Sequence, residues 1–272
     1  MVQLPEISFL IPAAGASSFL GTTIPAVHEF LDRLFPGAFE IIVIVNGQES
    51  AEYHRTLAVA AEASQRHPNM IRMISLPGKV GKGAALRKGV FAARGDFLFF
   101  TDADLPYNLD FFSDAYHLLR AGNALVSGNR RLPKSRFNLP VSVFHLAYKR
   151  HRLGIWFNRM ARALFPIETT DTQAGAKALT MELAQAAFRS QICPGFLFDI
   201  EIFLTAYSHR LKIAELPVTL SLRDEKSTVR IIREFFSCAR WLFRIRRHFR
   251  ADGYRATDLS TQKPLSWNNA YQ

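Results

Sequence analysis

Gly95-Asp96-Phe97-Leu98-Phe99-Phe100-Thr101-Asp102-Ala103-Asp104-Leu105-Pro106 decides how this chain is read. Gly95-Asp96 is a turn, the apolar residues after it a buried strand, and Leu105-Pro106 turns the chain away again. Two carboxylates separated by one small residue therefore stand where the strand ends. Open α/β sheets bind ligands at the carboxyl ends of their strands. Magnesium and manganese favour a few carboxylates plus phosphate oxygens over a closed protein cage. Asp102 and Asp104 can hold such a cation at that place and, through it, a diphosphate. Solvated turns and helix caps match Asp-x-Asp as readily, so the buried strand in front of it carries the weight.

The same rhythm recurs on either side. Residues 7–12 are a short apolar run closed by proline, and residues 40–47 a β-branched run stopped by Asn46-Gly47. Residues 70–76 and 124–128 add two more strands. Between them, residues 23–35, 51–65, 83–93 and 110–121 read as helices. This alternation predicts an α/β fold with a mostly parallel sheet covered by helices on both faces. After Arg130 the pattern breaks. A basic, proline-containing loop (131–136) leads to a long helix (141–165), a short strand (174–179), helices over 180–189 and 199–209, and an extended segment over 212–222. Three regions result: an α/β domain over 1–222, a basic arm over 223–255 and a loose polar tail over 256–272.

The 272 residues, 49% of them hydrophobic, suffice for one large domain with an appendage. A net charge of +11 and a pI near 10.0 favour anionic partners: phosphorylated substrates, anionic lipid surfaces or nucleic acid. Zinc-finger spacing and an RNA-recognition aromatic signature are both absent, so nucleic acid is not the expected partner. Cys193 and Cys238 stand far apart with no ligand at metal spacing, which predicts a reducing, cytoplasmic setting rather than a disulfide framework. The eight histidines are scattered and read as structural or surface residues. No run approaches the roughly 18–20 apolar residues that span a bilayer, and the first residues lack a signal pattern. A soluble or peripheral protein is expected.

Much of the positive charge is local. On a helix over 233–250, Phe235, Cys238, Ala239, Leu242, Ile245 and Phe249 form an apolar stripe flanked by Trp241 and Phe243. Arg233, Arg240, Arg244 and Arg247 gather on the other side. Such a helix lies in an anionic membrane interface, at the inner face of the membrane, or docks its stripe on the protein's own core.

Four segments, in order, carry a resemblance: Gly81-Lys82-Gly83-Ala84-Ala85-Leu86-Arg87-Lys88-Gly89; Thr101-Asp102-Ala103-Asp104; Asp171-Thr172-Gln173-Ala174-Gly175-Ala176-Lys177; and Phe198-Asp199-Ile200-Glu201 with Glu215-Leu216-Pro217-Val218 behind it. Together they resemble family 2 glycosyltransferases of the GT-A, Rossmann-like fold, nearest to polyprenyl-phosphate sugar transferases of the dolichyl-phosphate glucosyltransferase type. The likeness runs over roughly residues 5 to 250. It implies an inverting transferase that moves a hexose from a nucleotide diphosphate sugar, UDP-glucose-like or GDP-mannose-like, to a polyprenyl phosphate at the cytosolic membrane face. Mg2+ or Mn2+ is the implied cofactor. A soluble or saccharide hydroxyl acceptor is the close alternative. A sugar-1-phosphate nucleotidylyltransferase is a more distant one: the run from Pro12 to Ser17 is similar to the start of those enzymes, but Ser18-Phe19-Leu20-Gly21 and Pro25-Ala26 stand where they have an arginine and a Pro-Lys pair.

The resemblance also assigns roles. Asp104 coordinates the metal, and Asp102 contacts ribose and metal-bound phosphate. Lys82 reaches the diphosphate, between glycines that let backbone approach a ligand and ahead of a helix that offers its N-terminal amides. Arg87, one turn further, lines the site or faces water. Asp171, Gln173 and Lys177 line the sugar and acceptor pocket, although Asp171-Thr172 alone reads equally as a cap or turn. Read from its residues alone, the loop carrying Arg130, Arg131, Lys134 and Arg136 suits holding a second anion, or is an ordinary solvated basic turn. Asp199 and Glu201, two apart on a helix, point to different faces, so one of them faces the site. Asp199 or Asp171 is the base if the acceptor is a hydroxyl. Three positions depart from the family pattern. Pro12 is followed by Ala13-Ala14-Gly15-Ala16 without an acid, Asn46 replaces an aspartate, and Gly175-Ala176-Lys177 replaces Gly-Phe-Lys.

Overall fold

The computed structural model describes residues 4–78, 80–140, 144–221 and 231–255. Its centre is a seven-stranded sheet in the order β3-β2-β1-β4-β7-β5-β8. The strands are β1 (Ile7–Ala13), β2 (Phe39–Gly47), β3 (Ile71–Pro77), β4 (Phe97–Phe100), β5 (Leu125–Asn129), β7 (Lys177–Thr180) and β8 (Ile213–Pro217). A separate pair, β6 (Arg136–Asn138) and β9 (Thr219–Ser221), lies beside it. All pairings in the large sheet are parallel except those of β7, which runs antiparallel between β4 and β5.

β1 is buried along its whole length and β2 up to its closing Gly47, because helices cover both faces of the sheet. Alternate side chains feed two cores. Phe9, Ile11, Ile41 and Val43 belong to one; Leu10, Ile42, Ile44 and Phe100 belong to the other. The helices are α1 (Ser17–Leu34), α2 (Ala51–Arg66), α3 (Lys82–Ala92), α4 (Asp110–Arg120), α5 (Phe144–Leu164), α6 (Met181–Ser190), α7 (Phe198–Ser208) and α8 (Ile231–Arg250).

α1 starts well before the expected residue 23 and carries Pro25 inside it. Its start is held from another helix: Glu52 Oε1 accepts from Ser17 N at 3.0 Å, and Thr56 Oγ1 from Ala16 N at 3.2 Å. A cap supplied from α2 leaves no local signature in the sequence.

The chain steps outward from β1 to β2 and β3, then returns through α3 to β4 on the other side of β1. That reversal opens a crevice at the carboxyl ends of β1 and β4, the place where such sheets bind ligands.

The basic arm is docked. Leu242 and Ile245 of α8, with Tyr254 just after it, are buried in the core that holds Leu10 and Phe100. Ala239, expected in the apolar stripe, is exposed instead, and so is Phe243. Apart from Ala239, the stripe from Cys238 to Phe249 is therefore packed on the protein's own core. The side chain of Phe235, the segment 222–230 and the tail 256–272 lie outside what the structure describes. Leu242→Ala is expected to cost about 2–5 kcal/mol in chemical denaturation, and Phe243→Ala less than about 0.5 kcal/mol. Equal effects would mean that α8 is not seated as described.

Candidate active site

A cleft of about 440 Å3 opens at the carboxyl ends of β1 and β4. Pro12, Asn46, Lys82, Asp102 and Asp104, far apart in sequence, all line it, and Phe196 adds a wall that the sequence did not single out. A larger cavity of about 650 Å3 lies where the end of α7, β8 and the end of α8 meet, and none of the predicted site residues lines it.

The turn carrying the two aspartates is tightly held. Leu105 adopts φ 45°, a left-handed conformation that costs a leucine on the order of 1–2 kcal/mol. Its N–H donates to Asp102 O at 3.0 Å, and Thr23 of α1 donates its hydroxyl to Ala103 O at 2.8 Å. Gly175 packs against Asp102 and Tyr107 so closely that any Cβ there would overlap the Asp102 carboxylate. Its N–H donates to Tyr107 Oη at 3.2 Å.

Lys82, in the first turn of α3, places Nζ 2.5 Å from Asp102 Oδ1 and 5.8 Å from the Phe198 ring centre. Burial alone would lower its pKa, but the Asp102 and Asp199 charges outweigh burial and raise it, so the ammonium stays charged. Asn46 is buried and donates Nδ2 to Val80 O at 3.0 Å, fastening the end of β2 to the approach to α3.

The glycines beside Lys82 serve a purpose different from the expected one. A Cβ at Gly81 would overlap Pro194 O, and one at Gly83 would overlap Gln191 and Gly195. The backbone that comes so close is the protein's own 191–195 segment, not a ligand. Ala84 N in the first turn of α3 is likewise taken, donating to Pro194 O at 3.0 Å. Arg87 is half-buried and turns to the same segment, Nη1 lying 3.4 Å from Gln191 O.

A second group of charges stands behind the cleft. Arg130 grips Asp171 with Nε and Nη2, both at 2.7 Å, and with its backbone N–H at 3.0 Å. Burial would raise the Asp171 pKa, but Arg130 overrides it and holds the carboxyl below its ordinary value. Lys177 is fully buried; its Nζ donates to Ala174 O at 2.6 Å and Thr172 O at 3.1 Å. It also lies 2.7 Å from Asp199 Oδ1, an ion pair without hydrogen-bond angles. Lys177 thus braces the 171–175 loop against α7 rather than lining an open pocket. Asp199 is nearly buried, and burial wins over Lys177 and Lys82 to raise its pKa. Gln173 stands at the rim, Nε2 3.5 Å from Phe196 O.

The basic loop does not act as one cluster. Arg130 belongs to Asp171, while Arg131 has its pKa lowered by burial, against the pull of Asp171, with Arg130, Arg162 and Arg159 adding to the fall. Lys134 and Arg136 are exposed. Tyr107, buried between Arg130, Asp102 and Asp171, escaped the sequence reading because only the folded chain brings those charges around it.

A model of the family described as "Glycosyl transferase family 2" matches residues 8–184, which include every cleft residue named above except Phe196. The chain belongs to glycosyl transferase family 2. A dolichyl-phosphate beta-glucosyltransferase of Trichomonas vaginalis is 26% identical over 223 residues, 78% of this chain and 62% of that protein. The human dolichyl-phosphate beta-glucosyltransferase is 30% identical over 185 residues, 66% of this chain and 55% of its own length. The chain therefore spans less than two thirds of the length of these relatives. Among solved structures, the mannosyltransferase PcManGT from Pyrobaculum calidifontis, in complex with GDP-Man and Mn2+, aligns with TM-score 0.53 at 16% identity, covering 93% of this chain and 65% of that one. TarS 1-349 of S. aureus in complex with UDP-GlcNAc also gives 0.53, at 14% identity, over 87% and 65% of the two chains. The fold is the GT-A fold of glycosyltransferases, as the motif order implied.

In this family 2 chain the Arg130–Asp171 pair makes a sharp test. Arg130→Gln leaves a buried carboxylate unpaired and is expected to cost about 3–5 kcal/mol near neutral pH. Because the native Asp171 pKa is depressed, its stabilisation is present above the ordinary carboxylate range and is lost as pH falls through the folded value. Urea midpoints measured from pH 7 down to pH 3 should converge for the two proteins. A gap that persists unchanged at low pH would contradict the pairing.

Proposed function

We propose that this protein is an inverting hexosyltransferase that moves a sugar from a nucleotide diphosphate sugar to a polyprenyl phosphate, using Mg2+ or Mn2+. The observation that carries the reading is the meeting of Asp102, Asp104 and Lys82 in one cleft at the reversal point of the sheet. The donor set suits a hard divalent cation. Two carboxylates face the cleft, and among the described residues no group of three or more His, Cys, Asp or Glu could enclose a metal. Such an incomplete shell fits an ion that finishes its coordination with diphosphate oxygens. Bound there, the ion supplies Lewis-acid neutralisation of the charge that builds on the leaving diphosphate.

The chain's own groups do the rest. Lys82, kept charged by Asp102 and Asp199, adds a fixed cation on the leaving-group side. Asn46 and Pro12 shape the end of the cleft where the nucleotide enters. A phosphate acceptor is already ionised near neutral pH, so its attack needs cations rather than a base; Lys82 lines the cleft, and Arg131 stands next to an Arg130 already committed to Asp171. Attack opposite the leaving group inverts the anomeric carbon. The dolichyl-phosphate glucosyltransferase relatives support this acceptor, and the GDP-Man and Mn2+ of a fold neighbour support the cofactor. Toward a hydroxyl acceptor, the carboxylate suited to take a proton is Asp199, since both oxygens of Asp171 are held by Arg130.

The test is transfer of label from a panel of UDP- and GDP-sugars to a short polyprenyl phosphate with Mg2+ or Mn2+. One donor should label the lipid, and Asp104→Ala should lower turnover at least about 100-fold. Full turnover in that variant would end the proposal, and labelling of a saccharide instead would transfer it to the hydroxyl-acceptor form.

The same reading sets the protein against the cytosolic face of an anionic membrane. Its support is the outer side of α8, where Phe243 is 71% exposed among exposed Arg240, Arg244 and Arg247. One aromatic anchor within basic residues suits a lipid interface. Flotation with phosphatidylserine vesicles should bind the native chain. Replacing the three arginines with glutamine should weaken binding roughly 100-fold, at about 1 kcal/mol each. Unchanged flotation would remove this surface from the proposal.

A further inference from the structure

Glu201, the acid of α7 that turns away from the cleft, is 1% exposed and carries three hydrogen bonds. Its Oε1 accepts from Ile192 N at 2.7 Å and from the Tyr254 hydroxyl at 2.7 Å, while Oε2 accepts from Cys193 N at 3.0 Å. Ile192 and Cys193 lie in the irregular stretch joining α6 to α7, where no strand or helix partner takes their N–H groups. Buried backbone donors need acceptors, and this carboxylate satisfies two in succession. The third donor comes from the far end of the chain. Tyr254 follows α8, is fully buried, and is fixed by its own backbone carbonyl at 3.1 Å from His209 Nε2 and by the His248 ring at 4.7 Å.

The stretch held by Glu201 is the one pressed against Lys82. Pro194 O accepts from Ala84 N, and Gly81 and Gly83, on either side of Lys82, touch Pro194, Gly195 and Gln191 with no space for a Cβ. Gln191 Nε2 donates to Cys193 O at 2.7 Å and stiffens the stretch from within. Its next residue outward, Phe196, forms a wall of the cleft. A continuous set of contacts therefore runs from the basic arm, through one carboxylate, to the lysine and the aromatic wall of the cleft.

We propose that Glu201 and Tyr254 are positioning residues for the donor cleft: the carboxylate, completed by the phenol of the arm, fixes residues 191–196 and through them Lys82 and Phe196. The arm is then part of the machinery that shapes the cleft, whatever its outer surface meets. This deepens the nucleotide-sugar reading and rests on it for the identity of the ligand, but the clamp itself is a property of the free protein. Burial pushes the Glu201 carboxyl up to about 7, against the Ile192 and Cys193 N–H groups, the Tyr254 hydroxyl and the Arg87 charge, with the Cys193 thiol beside it.

The experiment compares the full-length native chain with Tyr254→Phe, which removes one hydroxyl and keeps the ring, and with Glu201→Gln, whose amide nitrogen would face a backbone N–H. Amide hydrogen exchange is followed without ligand, and binding of UDP and GDP with Mn2+ is measured in parallel. In Tyr254→Phe, exchange at Ile192 and Cys193 should quicken about tenfold while β1 and β4 stay protected. The dissociation constant for the bound nucleotide should rise about three- to tenfold, with KM for the donor moving more than kcat. Glu201→Gln should exceed both effects. Unchanged exchange at Ile192 and Cys193 would overturn the clamp. Faster exchange with unaltered nucleotide affinity and KM would overturn its coupling to the cleft. A native chain that binds neither nucleotide would count against the donor reading alone, since exchange still decides the clamp.

Discussion

The contact between Lys82 Nζ and Asp102 Oδ1, 2.5 Å across the top of the sheet, is the constraint around which the site is arranged. It joins the first turn of α3 to the end of β4, the two elements that meet where the sheet reverses. For the lysine to arrive there, α3 must pass close under the 191–195 segment, which requires glycine at 81 and 83. For the aspartate to face it, the turn at Leu105 is held left-handed and Gly175 leaves space beside the carboxylate. A side chain larger than glycine at any of these three glycines would push apart the groups that define the cleft.

Around this contact, four buried or half-buried acids receive four different treatments. Asp102 is open to the cleft, with its side chain 37% exposed. Asp171 is saturated by a guanidinium and pushed down. Asp199 faces two lysines, yet burial prevails and raises it. Glu201 has backbone amides and a phenol instead of a direct cation and rises to about 7. The division follows from desolvation competing with the partner that each carboxylate finds. It separates groups free to meet a cation and substrate from groups that hold the scaffold still.

The basic character of the chain resolves in the same way. A net charge of +11 invites a single explanation, but the arginines have distinct destinations. Arg130 is consumed by Asp171, Arg131 stands near Arg159 and Arg162, and Arg240, Arg244 and Arg247 line the outer side of a docked helix. Only positions, not totals, tell an acceptor site from a surface.

The order of elements, the buried strand before Asp102, and the family motifs were legible along the chain because strand burial and turn chemistry are local. The alternation up to residue 130 translates directly into the parallel part of the sheet, and the positions of Lys82, Asp102 and Asp104 follow from it. Other features had no local trace. The antiparallel insertion of β7, the cap of α1 by Glu52, and the occlusion of Lys177 arise from partners distant in sequence. So do the meeting of Tyr107 with Arg130 and the bond from Tyr254 to Glu201. A glycine motif announces that something comes close, but whether that is a ligand or the protein's own backbone depends on what packs there. The amino-acid sequence determined which residues could carry the chemistry; the tertiary structure decided which of them remain open, since exposure and electrostatic partnership are set only when distant segments are brought into contact.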